Sequence, residues 1–343
     1  MKNKTMLAAL LLILLVLVGG EILLRQIGTW SRKNSEAVKS PAAPADSLWQ
    51  GPDSAAIPSG SSGDLIRYGQ DLIARTGYYY GPAGVISRTS NGMNCQNCHL
   101  DAGKRPWGNN FGGVQSSYPK FKERRGAVED IAQRVSDCFE RSLNGIAPDT
   151  SSREVRAMIA YMEWLGTGVT KGKKPAGSGI ETIPYLGRAA DPAKGKQIYG
   201  LKCQTCHGLE GAGLKDKDGR VYIYPPLWGD QSYNTGASLY RLSRLAGFMF
   251  NNMPSGTDYR KPQLSAEEAW DLSAFINSQP RPAKVFPQDW PDISLKPVDH
   301  PFGPFADSFG AVQHKFGPFL PIVRARDGKD IHAHDGTQQK SSK

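Results

Sequence analysis

Cys95-Gln96-Asn97-Cys98-His99 and Cys203-Gln204-Thr205-Cys206-His207 are two copies of one pattern, Cys-x-x-Cys-His, in a chain with five cysteines. The pattern is the one used for covalent attachment of a c-type haem. Its two thiols, Cys95 with Cys98 and Cys203 with Cys206, add across the haem vinyl groups, and the adjacent His99 or His207 becomes the proximal iron ligand. One match could arise by chance or mark a zinc site. Two matches, absorbing all the cysteines but Cys138, indicate two covalently bound haem c groups. The fold class that follows is all-α, with two cytochrome c-type domains.

Outward from the motifs, residues 63–166 read as the first haem domain and 195–280 as the second, joined by a Gly-, Lys- and Pro-rich linker over 167–194. The spacing of Leu65, Ile66, Leu72 and Ile73 predicts a helix from Asp64, with Gly69 within it. A loop from Thr76 leads to Cys95, and a Gly-rich stretch with Trp107 and Phe111 follows His99. Further helices are expected over Ala127–Ser142, over Ser152–Leu165 with Ser152 as cap, and over Ser265–Ser278. Residues 281–325 lack helical periodicity and are too aromatic for a solvated linker, so they are expected to wrap irregularly against the rest. Residues 326–343 read as a disordered tail.

The first 25 residues carry Lys2 and Lys4, then run apolar from Met6 to Val18 and resume with Ile22, Leu23 and Leu24. This is an export signal or an anchor. Met6–Leu24 nearly supplies the ~20 apolar residues of a span, and no Ala-x-Ala cleavage site follows closely. The favoured expectation is inner-membrane association through residues 5–24, with the remainder in the bacterial periplasm. Residues 26–62 read as a flexible tether. The net charge is +10. No run of Lys and Arg interleaved with aromatics accompanies it, so no nucleic-acid partner is expected. A positive field suits a small anionic substrate instead.

Distal iron ligands can be sought by elimination. Between His99 and Met158 there is no further histidine or methionine, which leaves Cys138, a lysine such as Lys104, Lys120 or Lys122, or an open position. Ala160-Tyr161-Met162 resembles Ala274-Phe275-Ile276; Cys138 lies 22 residues before the first and Met253 lies 21 before the second. Cys138 thus takes the place of a distal methionine. The bland reading, a small buried hydrophobe, is opposed by the oxidising compartment. In the second domain Met253, followed by Pro254, is the expected distal ligand, while Met249 between Phe248 and Phe250 is expected to pack in the core. Thiolate ligation lowers and thioether ligation raises an iron potential. His300 and His314 are expected at the surface or in packing roles.

Taken together, Asn94–Gly103, Asp137–Gly145, Pro225-Pro226-Leu227-Trp228-Gly229, Asn252-Met253-Pro254, Asp289-Trp290-Pro291, Gln313-His314-Lys315 and Gly317-Pro318-Phe319 resemble the di-haem thiosulfate dehydrogenases, over about Asp64 to Ile322. The resemblance implies oxidation of two thiosulfates to tetrathionate, with Cys138 as distal ligand at the active site. The electrons would pass through the second haem to a small cytochrome c or other periplasmic redox protein. It also implies that Arg124, fourteen residues before Cys138, binds substrate and that Ser142, four after it, is a polar partner. Arg134, four residues before Cys138, shares that helical face and is a second cation. Arg125 and Arg141 read equally well as solvated charges. Some family members place a lysine beside the distal methionine, where this chain has Asn252. Other readings are tetrathionate reduction by the same site, a plain di-haem electron carrier, which leaves Cys138 unused, and a di-haem peroxidase, which a thiolate-capped iron disfavours.

Overall fold

The computed structural model describes residues 48–327. The expected signal or anchor over 1–25, most of the expected tether and all but the start of the expected tail lie outside the described residues. Among the described residues, no helix is long and apolar enough to cross a membrane.

Each half is built on a pair of helices that cross at a glycine. In the first half α1 (Gly60–Ala74), α2 (Ile131–Arg141) and α3 (Arg153–Leu165) enclose Leu72, Ile73, Val135, Phe139, Met158 and Tyr161. In the second, α4 (Pro192–Lys202), α5 (Leu242–Asn252) and α6 (Ala266–Ser278) enclose Tyr199, Leu242, Leu245, Trp270, Leu272 and Ile276. A Cβ on Gly69 would lie 1.9 Å from the Ala157 carbonyl oxygen, and one on Gly195 would lie 2.0 Å from that of Asp271. Only a hydrogen at these positions lets the backbones approach so closely. Tyr161 and Phe275 flank the two crossings, so the sequence equivalence of Ala160–Met162 with Ala274–Ile276 holds in three dimensions.

Local chemistry fixes the ends of these helices. Ser152 caps α3 by accepting from Val155 N at 3.3 Å. Ser265 and Glu268 form a reciprocal capping box at α6. The helix expected over Ala127–Ser142 is shorter, because Asp130 and Gln133 form such a box and start α2 at Ile131. Ala127–Glu129 is instead a strand, β2, antiparallel to β1 (Lys120–Lys122) across a turn at Gly126, whose φ of 66° favours glycine. A second pair joins β3 (Leu214–Lys215) to β4 (Tyr222–Tyr224).

The tether expected to reach residue 62 becomes ordered earlier. Leu48 is buried, Trp49 N donates to Ala176 O at 2.8 Å, and Trp49 packs on Gly112. The C-terminal segment does wrap the second core, through Val298, Phe319, Ile322 and Val323. It is not wholly irregular, since it contains α7 (Ala311–Phe316) and α8 (Leu320–Asp327), too short for periodicity to reveal.

The halves interlock. Tyr222 of the second half sits in the first core. Asn234 donates through its backbone to Arg141 O at 3.1 Å and through its amide to Glu140 O at 2.8 Å and Asn144 Oδ1 at 2.9 Å. These bonds satisfy carbonyls that the end of α2 would otherwise leave open.

Candidate active site

Both histidines of the motifs are held the same way. His99 Nδ1 donates to Asn109 O at 2.5 Å, and His207 Nδ1 donates to Pro225 O at 2.9 Å. A carbonyl partner at Nδ1 fixes the tautomer that leaves the lone pair on Nε2, the arrangement of a metal-ligating imidazole. Burial lowers His99 to about 4 and also lowers His207, so both are neutral at physiological pH. Phe111 stacks on His99 with centroids 4.4 Å apart. Burial pushes the Cys95 and Cys98 thiols up to about 12 and Cys203 up to about 11, which leaves them unreactive as free thiolates.

Cys95, Cys98 and His99 open onto a cavity of about 1420 Å³. An ordinary small-molecule site occupies ~300–1,000 Å³, so this space fits a macrocycle as well as a substrate. The same cavity is lined by Cys138, Arg134, Arg124 and Ser142. Its far wall belongs to the second half and the C-terminal segment, including Arg241, Phe286, Trp290 and His300. Trp290 Nε1 is a buried donor without an acceptor in the protein, as a haem propionate would require. The donors present therefore fit a c-type haem: two thiols, a neutral imidazole, and a sulfur on another wall.

Helix α2 presents Ile131, Arg134, Cys138 and Ser142 to this space while Val135 and Phe139 anchor it in the core. Ser142 is the C-cap residue, its N donating to Cys138 O at 2.9 Å. Cys138 is half-buried, one turn inside the helix, whereas Met253 follows the last residue of α5. Cys138 and Met253 thus differ in local setting, one inside a helix and the other at a helix end. Met253 packs, half-buried, against the core cluster that also takes Cys203, while Met249 is buried in that core. Lys104 turns away from the cavity to Ser54 Oγ at 3.2 Å, while Lys120 and Lys122 line it.

Asp137, to which the sequence reading gave no role of its own, is the hub of the cation cluster. Its carboxylate lies 2.5 Å from Arg124, 3.3 Å from Arg125, 3.9 Å from Arg134 and 3.8 Å from Arg141. Burial alone would raise its pKa, but the four guanidiniums overcome this and hold it below the usual carboxylate range. The signal was local: Arg134 and Arg141 stand three before and four after Asp137 on one helix. Arg134 binds its proton more tightly than usual, chiefly through its electrostatic interaction with the neighbouring Cys138. Arg125 is partly exposed, as a solvated charge should be, but Arg141 is not. Its side chain is 7% exposed, pairs with Asp289 and lies 3.6 Å above the Phe286 ring. The sequence could not show this, because Asp289 is so distant along the chain.

His300 lines the cavity edge-on to Trp290, and burial lowers it to about 4. His314 is fully buried, bonded to Val298 O and Asp307 and stacked on Phe305, a packing role as expected.

The family model described as SoxA/TsdA cytochrome c domain matches residues 86–170, and that for cytochrome c matches 192–280. With the paired motifs this defines a cytochrome c with two c-type haems. The chain is 40% identical over 235 residues to a thiosulfate dehydrogenase of Allochromatium vinosum, covering 67% of this chain and 83% of that protein. It is 35% identical to one of Stutzerimonas stutzeri, covering 69% and 74%. The chain belongs to the thiosulfate dehydrogenase family. A solved structure, thiosulfate dehydrogenase (TsdBA) from Marichromatium purpuratum in its as-isolated form, matches with TM-score 0.64 and 31% identity over 69% of this chain; the match spans half of that longer chain.

Proposed function

We propose that this chain is an oxidoreductase that joins two thiosulfate dianions through a new sulfur–sulfur bond, giving one tetrathionate dianion and two electrons. The observation that carries this reading is the sharing of one cavity by Cys138, Arg134, Arg124 and Ser142 with the Cys95-Cys98-His99 motif. Two unit charges 4 Å apart repel by about 4 kcal/mol at an effective dielectric of ~20, and two dianions multiply the product of charges fourfold. Fixed cations must offset that repulsion. Arg134 and Arg124 supply them, and Ser142 adds a hydroxyl to orient the substrate.

Cys138 acts as the nucleophile in this reading. Its thiolate bonds the sulfane sulfur of one thiosulfate with release of two electrons. The second thiosulfate attacks that same sulfur, forms the central bond of tetrathionate and returns the thiolate. When bound, the two haems supply the one-electron acceptors that take up these electrons. His99 and Cys138 would hold the first iron, His207 and Met253 the second. The onward acceptor is a small cytochrome c or other periplasmic redox protein. The periplasm follows from covalent haem attachment together with the basic and apolar start of the chain, which associates with the inner membrane through residues 5–24.

The test is anaerobic. Oxidised protein is mixed with thiosulfate, haem absorbance is followed, tetrathionate is assayed, and the experiment is repeated with Cys138→Gly. Reduction with tetrathionate formed in the parent, and loss of both in the variant while the second haem keeps its spectrum, is the expected result. A variant as active as the parent overturns the role of Cys138; an inert parent overturns the direction of reaction.

A further inference from the structure

Strand β1 carries a charge pattern that the site described so far does not use. Its register pairs Lys120 with Glu129, Phe121 with Val128 and Lys122 with Ala127. Alternate residues of a strand face the same way. Phe121 is 52% exposed, whereas Lys120 and Lys122 both line the Cys138 cavity. The turn that follows is fixed by Arg125 N and Gly126 N, both donating to Lys122 O, so the pair is presented by a closed hairpin.

Neither lysine forms a salt bridge within the described residues. Lys120 lies 4.6 Å from the centroid of the Tyr118 ring, and the paired Glu129 is already engaged by Arg125 at 3.6 Å and by the Tyr118 hydroxyl at 3.3 Å. Burial lowers the pKa of both ammonium groups, with further lowering from Arg134 and, at Lys122, from Lys120. Glu129 and Glu123 oppose this lowering, but neither forms a salt bridge with Lys120 or Lys122, and two half-buried cations lining one cavity beside Arg134 form a site that an anion relieves.

The product of the reaction proposed above has a sulfonate at each end, and Arg124 with Arg134 provides for only one. Resting on that reading, we infer that Lys120 and Lys122 form a second anion subsite, which takes the sulfonate of the second thiosulfate and so the far end of tetrathionate. Lys120 and Lys122 line the same cavity as Cys138 and Arg134, and Arg134 lies within electrostatic reach of both the sulfur and the lysines, so an anion held by the lysines lies in the same enclosed space as the reacting sulfur. The Trp290 wall, with its unpaired donor, remains for the haem propionates.

The test uses the haem-loaded protein with Lys120→Gln, Lys122→Gln and the double variant. Three quantities are measured: KM for thiosulfate, tetrathionate affinity of the oxidised protein by calorimetry, and the spectrum and potential of the first haem. The double variant is expected to raise KM and to weaken tetrathionate binding by about tenfold or more, the loss of one charged contact. Lys122→Arg should recover most of both, and the haem should be unchanged. Unaltered KM and tetrathionate affinity overturn the subsite, and a shifted haem potential in their place assigns the lysines to a propionate. If the parent protein fails to oxidise thiosulfate, the functional reading falls alone. Calorimetry still decides the subsite, because loss of tetrathionate binding in the variants upholds it and equal binding refutes it.

Discussion

Arg141 donates both terminal guanidinium nitrogens to the carboxylate of Asp289, 148 residues further on, at 2.8 Å each. The pair ties the last turn of the Cys138 helix to the C-terminal segment, and Phe286 covers it. A bidentate bond of this kind is stronger than a neutral one. Asp289→Asn should therefore cost about 1–3 kcal/mol of unfolding free energy. A denaturant series with Arg141→Met and the double variant would show coupling between the two positions; additive losses would mean that the pair contributes nothing as a pair.

Asp137 holds four arginines together, and its carboxyl is below the usual range in the folded protein. The sign of the linkage is that of a depressed acid: the stabilisation is present above the unfolded pKa, about 3.9, and is lost as pH falls through the lower folded value. Asp137→Asn should lower the melting temperature at neutral pH, and the gap to the parent should close only on the acid side of about pH 4. A gap that stayed constant down to acid pH would deny the charge its role.

Lys122 is lowered to about 8 by burial, with Lys120 and Arg134 adding to the effect and Glu129 and Glu123 opposing it. Its charged form is the protonated one, so the cation is present below about pH 8 and disappears above it. Thiosulfate affinity should fall as pH rises through this value, approaching the Lys122→Gln level by about pH 9, where roughly a tenth of the charge is left. KM measured across this range in both proteins checks it, and parallel profiles would rule out Lys122 as the group responsible.

Two glycines of one helix should respond oppositely to the same change. Gly195→Ala drives a methyl against Asp271 O and Phe275 Cβ, and should cost about 1–3 kcal/mol or more. Gly200, also in α4, has open space where its Cβ would be, so Gly200→Ala should gain about 0.5–1 kcal/mol from helix propensity alone. Urea unfolding of the two variants compares them directly.

The sequence carried the parts of this design that depend on near neighbours. The Cys-x-x-Cys-His motifs, the caps at Ser152 and Ser265 and the grouping of Arg134 with Cys138 on one helical face are all local patterns, and the structure brings the expected cavity residues together. The β1–β2 hairpin escaped because Ala127–Glu129 reads equally well as the start of a helix until Asp130 and Gln133 close their box. The surroundings of Arg141 escaped for another reason. Nothing near an arginine in sequence reveals a carboxylate and a phenyl ring supplied from the far end of the chain. Counting residues matched Cys138 with Met253, but it could not show that one side chain stands inside a helix and the other just past a helix end.

Asn234 closes the backbone carbonyls at the end of α2, and Tyr222 fills a gap in the first core. The half that bears Cys138 is thus finished by parts of the other half. A protein engineer who severed the chain between residues 167 and 194 and coupled the first half to a foreign electron carrier would obtain a helix with a ragged end and a hole in its packing. Modular exchange in this architecture has to carry the Tyr222 and Asn234 loops along with the half that bears Cys138.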